Sequence, residues 1–357
     1  MYLALAIFTG VFVICTLMSL CKLTNWWIRF TDFPRVQFAV GLGLSILGQL
    51  IWLDLSQIKT WCLLLLAIIS LAYQLWWILP YTRLASQKVK NAQHHDPQNK
   101  ISIMTANVLT PNRNSKTLLT LVEQNEPDIL VTLETDDWWQ QQLDVLEQTY
   151  IYTIKCPLSN LYGMHVYSQL PLHDACIEFL VEGDKPSMHA AVELRGGRTV
   201  RVHFLHPAPP SPTENDRSLE RDAELLVVGK SVAEYSSPVI VTGDLNDVAW
   251  SPTTRLFKKI SGLLDPRIGR GMFNTFNAKH WYLRWPLDHV FHSHHFTVAK
   301  LLRLSPFGSD HFALYVELQL EDAKQENELD ADEDDKQEVN EKTQEAGVTE
   351  NDVPTPN

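Results

Sequence analysis

The sequence lacks the cysteine patterns of a zinc site or of a disulfide-rich secreted protein. Its 357 residues include five cysteines, with no Cys-x-x-Cys pair and no Cys/His spacing suited to tetrahedral zinc. Three cysteines fall in apolar runs, which leaves Cys156 and Cys176 in polar sequence. A single disulfide between these two is one alternative, but two scattered cysteines are more often buried thiols.

The middle of the chain also lacks a basic surplus. The net charge of −12 comes mostly from residues 321–357, which hold 14 acidic and 3 basic residues. Residues 82–320 hold 26 acidic and 23 basic residues, a net charge of −3. Unspecific binding of duplex DNA draws its affinity from phosphates neutralised by basic side chains. The composition therefore disfavours such a protein and leaves a local basic patch as the alternative.

Charged residues are missing from three apolar runs near the N-terminus, at 1–21, 36–53 and 60–82. Each run is close to the roughly 20 apolar residues that a helix needs to cross a bilayer. Aromatic side chains lie at the ends of the runs, as at a membrane interface; they are Trp26, Trp27, Trp76, Trp77 and Tyr81. Buried helices of a soluble protein are disfavoured because no polar residue interrupts the runs on a helical period. We therefore predict a membrane region at 1–82 with three transmembrane helices.

Basic residues flank these runs unevenly. One side of the predicted membrane carries only Lys59, and the side of the large domain carries six basic residues, Lys22, Arg29, Arg35, Arg83, Lys88 and Lys90. The positive-inside rule then predicts an integral membrane protein with its large domain in the cytoplasm. A cleaved signal peptide is disfavoured because no basic residue precedes the first run.

The remaining sequence divides into three parts. Residues 83–97 are polar and indicate a linker, and residues 98–320 alternate short β-type runs with helical runs. Residues 321–357 are acidic and nearly free of large apolar groups, which predicts a disordered tail. The many strands and few helices of 98–320 predict two sheets flanked by helices, in an α/β or α+β layering. The helix candidates are 115–125, 136–147, 214–235 and 252–261, and the strand candidates are 101–108, 128–134, 151–155, 163–168, 188–194, 198–206, 238–243, 287–292, 296–303 and 312–319.

Polar residues follow several of these strands, where loops present functional groups. Asn107 ends the first strand, although an asparagine there often only begins a turn. Glu134 ends the second strand. Taken alone, it is better explained as a cap of the next helix, a role for which Thr135, Asp136 and Asp137 compete. His206 ends a later strand before a Pro-rich loop, and His203 in the same strand shows that such a histidine can be structural.

The strongest local signal is Pro-Val-Ile-Val-Thr-Gly-Asp-Leu-Asn-Asp at residues 238–247. A buried strand leads into Gly243, and the i, i+2 spacing of Asp244 and Asn246 can point both side chains the same way. A carboxylate there can act on a water molecule while an amide donates to a phosphate oxygen. A plain strand-to-turn transition is the alternative.

Two Asp-His pairs occur late in the domain, in Leu287-Asp288-His289 and Ser309-Asp310-His311. A chain with 13 histidines can contain such pairs by chance. Both lie at strand edges, however, and a buried aspartate is what a catalytic imidazole needs to fix its tautomer and stabilise its charged form.

The order Asn, Glu, His, Gly-Asp-x-Asn, Asp, Ser-Asp-His resembles the endonuclease/exonuclease/phosphatase superfamily over about residues 100–320. The resemblance implies the DNase I-like fold of class α+β, a four-layer α/β/β/α sandwich. Ala-Trp-Ser-Pro after Asp247 and the run 287–293 resemble bacterial membrane-anchored members, which implies the bacterial inner membrane. Two positions depart from the family pattern: Leu133 stands where a glutamine is common, and Ala313 where a proline is common.

The resemblance also implies roles for the site residues. Glu134 would hold Mg²⁺, with Mn²⁺ as a substitute, and Asn107 and Asp310 would complete or orient its shell. Asp244 and His311 would activate the attacking water, and Asp288 would orient His311. The remaining two, Asn246 and His206, would donate hydrogen bonds to phosphoryl oxygens. No organic cofactor is implied.

Substrate identity does not follow from fold. Membrane anchoring and a domain without basic surplus favour an Mg²⁺-dependent phosphodiesterase acting on a lipid or another membrane-associated phosphodiester. A membrane-tethered endonuclease or exonuclease, with nucleic acid as partner, is the first alternative. A non-catalytic membrane scaffold or binding module, with the acidic tail recruiting a basic partner, is the second.

Overall fold

The computed structural model of the protein describes residues 1–233, 235–321 and 329–357. Its N-terminal region contains three helices long and apolar enough to cross a membrane, as predicted: α1 (Tyr2–Ser19), α3 (Arg35–Trp52) and α4 (Ile58–Ile78). A short helix, α2 (Trp26–Arg29), lies between the first two.

The three long helices pack through small and polar side chains. Thr9 Oγ1 lies 2.6 Å from Ser45 Oγ, and the amide of Gln49 donates to both hydroxyls at 3.0 Å. Gln74 Nε2 donates to Thr16 Oγ1 at 2.8 Å. Lipid tails are as apolar as leucine, so helices in a bilayer associate through close packing and hydrogen bonds rather than through apolar burial. The large apolar side chains consequently point outward.

The large domain contains eleven strands among the described residues. They are β1 (Lys100–Asn107), β2 (Ile129–Leu133), β3 (Tyr152–Cys156), β4 (Met164–Ser168), β5 (Leu172–Glu178), β6 (Ser187–Glu193), β7 (Thr199–Leu205), β8 (Val239–Asp244), β9 (Asp288–His292), β10 (Phe296–Pro306) and β11 (Phe312–Leu320). The helices of this part are α5 (Ser115–Asn125), α6 (Asp137–Leu143), α7 (Leu219–Ala233), α8 (Pro252–Ser261) and α9 (Glu333–Glu345).

The strands form two mixed sheets that pack face to face. The first has the order β10-β11-β1-β2-β4-β3, and the second has the order β5-β6-β7-β8-β9. Buried aliphatic side chains from the inner faces of both sheets, such as Ile103, Val131, Val202 and Ile240, form one core. Helices α5 and α6 cover the outer face of the first sheet, and α7 and α8 cover that of the second. This is the predicted four-layer α/β/β/α arrangement.

One strand was not predicted. Strand β5 is the edge of the second sheet, and most of its residues are exposed or half-buried. Its register to β6 shifts between His173 and Cys176, so the polar/apolar alternation is interrupted. All five cysteines, Cys176 included, are free thiols.

The predicted linker at 83–97 contacts the domain. Val89 is fully buried, and Ala92 N donates to Val298 O of β10 at 2.9 Å. Domain boundaries at 83, 98 and 321 remain predictions.

The prediction of a disordered tail at 321–357 is wrong for residues 329–357, and its segment 322–328 lies outside the described residues. Asp332 and Asp335 form a capping box at the start of α9. Three valines, Val339, Val348 and Val353, are at most 2% exposed in the apolar layer that also contains α7 and α8. Acidic side chains of the tail pair with basic ones elsewhere, including Glu338 with Lys22 and Asp335 with Lys259. Few apolar groups suffice because the three valines pack on the apolar residues of α7 and α8 and the acidic side chains pair with basic ones.

The three long N-terminal helices with their connecting segments and the large domain share a packed junction. Trp250 Nε1 donates to Asp32 O at 2.9 Å, and the Tyr81 hydroxyl donates to Ala249 O at 2.5 Å. Gly269 N donates to Pro80 O at 2.8 Å. Residues 248–250 follow directly on the segment 238–247, so the strongest sequence motif leads into the junction.

Candidate active site

Two facing strands bring the first site residues together. Thr105 of β1 and Thr242 of β8 point into the space between the sheets, where their hydroxyl oxygens lie 3.2 Å apart. Alternate residues of a strand share a face, so the side chains two positions on also face each other. These are Asn107 and Asp244, and Asn107 Nδ2 donates to Asp244 Oδ2 at 3.1 Å.

Neighbouring strands add the other acidic groups. Asn107 pairs with Leu133 across the parallel β1–β2 ladder, so Glu134, the next residue, lies beside Asn107. Asn107 Nδ2 donates to Glu134 Oε1 at 2.8 Å. Asp244 pairs with Asp288 across the antiparallel β8–β9 ladder. The alternative that Glu134 caps a helix is wrong, because Asp136 caps α6 by accepting from Trp139 N.

His311 lies between two aspartates. Its Nδ1 is 2.8 Å from Asp288 Oδ2, and its Nε2 is 3.5 Å from Asp244 Oδ2. Burial alone disfavours the charged imidazolium, but the carboxylates of Asp244 and Asp288 outweigh it and raise the pKa of His311 to about 10. The ring is therefore an imidazolium at neutral pH.

The remaining predicted residues lie at the margin of this cluster. His206 is buried beside Tyr162, with ring centroids 5.2 Å apart, and burial lowers its pKa to about 4, so it is neutral at pH 7. Asn246 Nδ2 donates to Pro207 O at 3.0 Å, which commits part of its amide to the loop after β7. Asp310 is half-buried, and its carboxylate raises the pKa of Glu134 and of His311.

The backbone is strained where the motifs lie. Glu134 and Asn246 have φ values of 60° and 50°, in the left-handed region that costs energy for residues other than glycine. Gly243 has a φ of 149°, and a Cβ added there would lie 1.9 Å from Leu205 O. Only glycine fits at this point, which explains the Gly-Asp sequence.

The environment of Glu134 suits a cation. Its Oε2 is buried and lacks a hydrogen-bond partner among the residues that the structure describes. Burial raises its pKa to about 7, and the carboxylates of Asp244 and Asp310 add to the rise. An unpartnered buried carboxylate oxygen with further oxygen donors nearby is the donor set that Mg²⁺ prefers.

A second group of side chains is also spaced closely enough to hold a metal ion. Ligand atoms of Asp244, Asp288 and His311 lie within 4.8 Å of one another, and all three residues are buried. Both ring nitrogens of His311 already face carboxylates, and a charged imidazolium repels a cation. The arrangement is better suited to proton handling than to holding a metal ion.

Several supporting residues were not predicted. The Ser309 hydroxyl donates to Asn107 O at 2.7 Å and accepts from His311 N at 3.0 Å, so it links two site segments. Arg221 Nη1 donates to Asn246 O at 2.9 Å and holds the Gly-Asp-Leu-Asn loop. Ser309 lies inside a recognised motif, but nothing local in α7 singles out Arg221.

A sequence profile of the endonuclease/exonuclease/phosphatase family matches residues 104–311. The chain belongs to this family. Its members are hydrolases of phosphoester bonds and generally use divalent metal ions. No protein of curated function matches the sequence.

Solved structures of the endonuclease/exonuclease/phosphatase family share the fold. The endonuclease/exonuclease/phosphatase from Beutenbergia cavernae has a TM-score of 0.51 and 18% identity over 63% of this chain and 72% of its own. The human nocturnin catalytic domain with bound sulfate has a TM-score of 0.52 and 17% identity over 63% of this chain and 96% of its own. D. rerio TDP2 complexed with a single-stranded DNA product has a TM-score of 0.50 and 17% identity over 62% of this chain and 99% of its own. At these identities the likeness shows the fold alone.

Proposed function

We propose that the protein is a membrane-anchored, Mg²⁺-dependent phosphodiesterase. The observation that carries the proposal is the convergence of Asn107, Glu134, Asp244, Asp288 and His311 on one point, from strands of both sheets. Each of these residues is in direct contact with another of the set. In a non-catalytic scaffold nothing would offset the cost of burying the charged groups of Asp244, Asp288 and His311 and of holding Glu134 at a positive φ.

Glu134 would hold the ion, with Asn107 and Asp310 completing or orienting its shell. When bound, Mg²⁺ supplies Lewis-acid polarisation of the phosphoryl group and neutralises charge on the leaving oxygen. The raised pKa of Glu134 fits this role, because a cation replaces the proton that burial otherwise favours.

Proton transfer is assigned to Asp244 rather than to His311. An imidazolium held by two carboxylates has no free lone pair to accept a proton, whereas burial makes the Asp244 carboxylate more basic by raising its pKa. Asp244 takes the proton of the attacking water as the water oxygen bonds to phosphorus. The bond from phosphorus to the leaving oxygen breaks, and that oxygen gains a proton from solvent.

Charge on the non-bridging oxygens would be met by hydrogen-bond donors. His311 offers its imidazolium, and the neutral ring of His206 and the amide of Asn246 lie at the ends of adjacent strands. Preorganised donors of this kind are usually the largest electrostatic contribution to catalysis. Hydrolysis is then direct, and trapping of a phosphoryl-enzyme species would contradict it.

The domain is proposed to face the cytoplasm of a bacterial inner membrane. Two of the six basic residues behind this proposal, Arg29 and Arg35, form ion pairs with the buried Asp32. Lys22 pairs with Glu338, and Arg83 and two lysines of the linker follow the third span in the sequence.

The test uses the full chain in nanodiscs, because the junction would expose Trp250 if the spans were removed. We expect hydrolysis of bis(p-nitrophenyl) phosphate with Mg²⁺, none with EDTA, and a loss of about 10³-fold or more in kcat for Asp244→Asn. Equal activity of Asp244→Asn and the wild type would overturn the proposal. Plasmid nicking with the same dependence would establish the nuclease alternative.

A further inference from the structure

The segment 272–287, which we call the aromatic arm, precedes β9. Its residues 281–283 form an exposed apolar tip. Trp281, Tyr282 and Leu283 are 79%, 54% and 37% exposed. Single exposed apolar side chains are ordinary, but a contiguous group marks a contact surface.

The base of the aromatic arm packs on the catalytic residues. The ring of Phe276 lies 5.0 Å from that of His311, and Ala278 N donates to Asp310 O at 2.6 Å. Phe276 also stacks on Trp285 at 5.9 Å and pairs with its backbone. One end of the arm is therefore fixed beside the reacting groups.

The tip of the arm lies against a membrane helix. Gln37 Nε2, in the first turn of α3, donates to Tyr282 O at 2.8 Å. One turn further along α3, Val40 is 57% exposed, as expected of a residue that faces lipid tails. Trp285 makes edge contacts with Phe33 at 5.7 Å and with Phe30 at 6.3 Å. The tip is thus level with the boundary of the predicted bilayer, the depth that Trp and Tyr favour.

Positive charge lies on the same side of the site. The guanidinium carbons of Arg303 and Arg284 lie 4.3 Å and 5.0 Å from the ring centroid of Phe312, the residue after His311. Lys279 is exposed beside the tip. A basic edge next to an aromatic tip complements a layer of phosphate-bearing headgroups.

We propose that the aromatic arm inserts its tip into the headgroup layer and that the substrate is a lipid carrying a phosphodiester headgroup, which reaches the site by lateral movement within the leaflet. The substrate class rests on the proposed function, whereas the insertion of the tip does not. Continuity with the three spans selects the bilayer as the occupant of this surface, since the arm contacts α3 directly.

The first test measures depth without measuring activity. Trp281→Cys, in a chain whose native cysteines are replaced by serine, is labelled with the environment-sensitive fluorophore NBD and reconstituted in phosphatidylglycerol/phosphatidylcholine vesicles. We expect a blue-shifted emission that is quenched by lipids carrying a nitroxide near the headgroup. Ile151→Cys is the matched control, since Ile151 is 66% exposed and precedes β3 at the end of the first sheet opposite Glu134.

The second test separates the interface from the chemistry. Trp281→Ser combined with Leu283→Ser removes the apolar tip and leaves the base of the arm intact. We expect turnover of long-chain phospholipid in vesicles to fall about tenfold or more, and turnover of bis(p-nitrophenyl) phosphate to stay within about twofold of the wild type.

The outcomes distinguish the two proposals. Water-like NBD emission at 281, equal to that at 151, overturns insertion whatever the enzyme hydrolyses. A lipid-like signal at 281 without any Asp244-dependent hydrolysis leaves insertion standing and overturns the proposed function together with the lipid substrate. Equal losses on vesicles and on the soluble diester show that the tip supports the fold of the site rather than access from the bilayer.

Discussion

At the scale of single residues, Glu134 is a carboxyl group whose surroundings favour its protonated form. Its pKa of about 7 in the folded, metal-free protein is above its ordinary value of 4.5. The folded chain therefore holds a proton that the unfolded chain releases, and this contribution to stability is lost as the pH rises through about 7.

Glu134→Gln is expected to stabilise the metal-free protein at pH 8 by roughly 1–3 kcal/mol and to change little at pH 4. Thermal unfolding in detergent with EDTA measures this difference. Added Mg²⁺ should raise the Tm of the wild type at pH 8 and leave that of the variant unchanged. A Glu134→Gln protein that gains as much from Mg²⁺ as the wild type would place the ion elsewhere.

A second residue-scale prediction concerns Asp288. Its carboxylate holds His311 at 2.8 Å and helps to keep the ring charged up to a pKa of about 10, well above the ordinary value of 6.5. Asp288→Asn should lower that pKa, so the alkaline limb of kcat against pH moves to lower pH. We also expect kcat to fall by about 10²–10⁴-fold.

The pH profile of kcat on bis(p-nitrophenyl) phosphate checks the role of Asp288. Asp330→Asn, an exposed aspartate outside the site, is the matched control and should behave as the wild type. An unmoved alkaline limb in Asp288→Asn would mean that His311 does not govern the profile.

At the scale of elements, the end of β8 depends on one glycine. A methyl group at Gly243 would overlap Leu205 O of β7 at 1.9 Å, and φ of 149° is unsuited to alanine. Gly243→Ala should lower the free energy of unfolding by about 2–4 kcal/mol and displace Asp244.

Urea unfolding of the detergent-solubilised chain measures the effect of the Gly243 change. Gly183→Ala is the matched control, because nothing lies within 4 Å of its added Cβ and the change should stay within about 0.5 kcal/mol. Equal midpoints for the two variants would mean that β7 and β8 can separate at little cost.

At the scale of the whole molecule, the acidic tail is a structural part of the domain. Val348 is 2% exposed in the layer shared with α7 and α8, and Lys342 donates to Asp222, the neighbour of Arg221. Through Arg221 the tail supports the loop that carries Asn246. Acidic side chains of the tail pair in turn with basic residues elsewhere in the chain, as Glu338 does with Lys22.

Val348→Asp should release the tail, because an unpaired charge buried in an apolar layer costs about 2–4 kcal/mol. Hydrogen exchange of the α9 amides is expected to accelerate by about 30-fold or more. Val145→Asp is the matched control, since Val145 is 55% exposed. Unchanged protection of α9 in Val348→Asp would show that its ion pairs, rather than its valines, hold the tail.

Local patterns in the sequence were enough to predict much of the fold, whereas the set of candidate site residues came from the resemblance to a known family. The three apolar runs and ten of the eleven described strands each depend on a window of a few residues, where periodicity and turn chemistry act directly. Edge strand β5 was missed because exposure and a register shift remove its alternation.

Only the tertiary structure decided how these parts work together. The position of His311 between two aspartates, the uncompensated Glu134 oxygen and the docking of the tail arise from contacts between residues far apart in the chain. Burial and neighbouring charges set the pKa values, and neither is encoded in a local window. The sequence determined which chemical groups are present, and the packing of two sheets, a helical bundle and a tail determined their distances and charges.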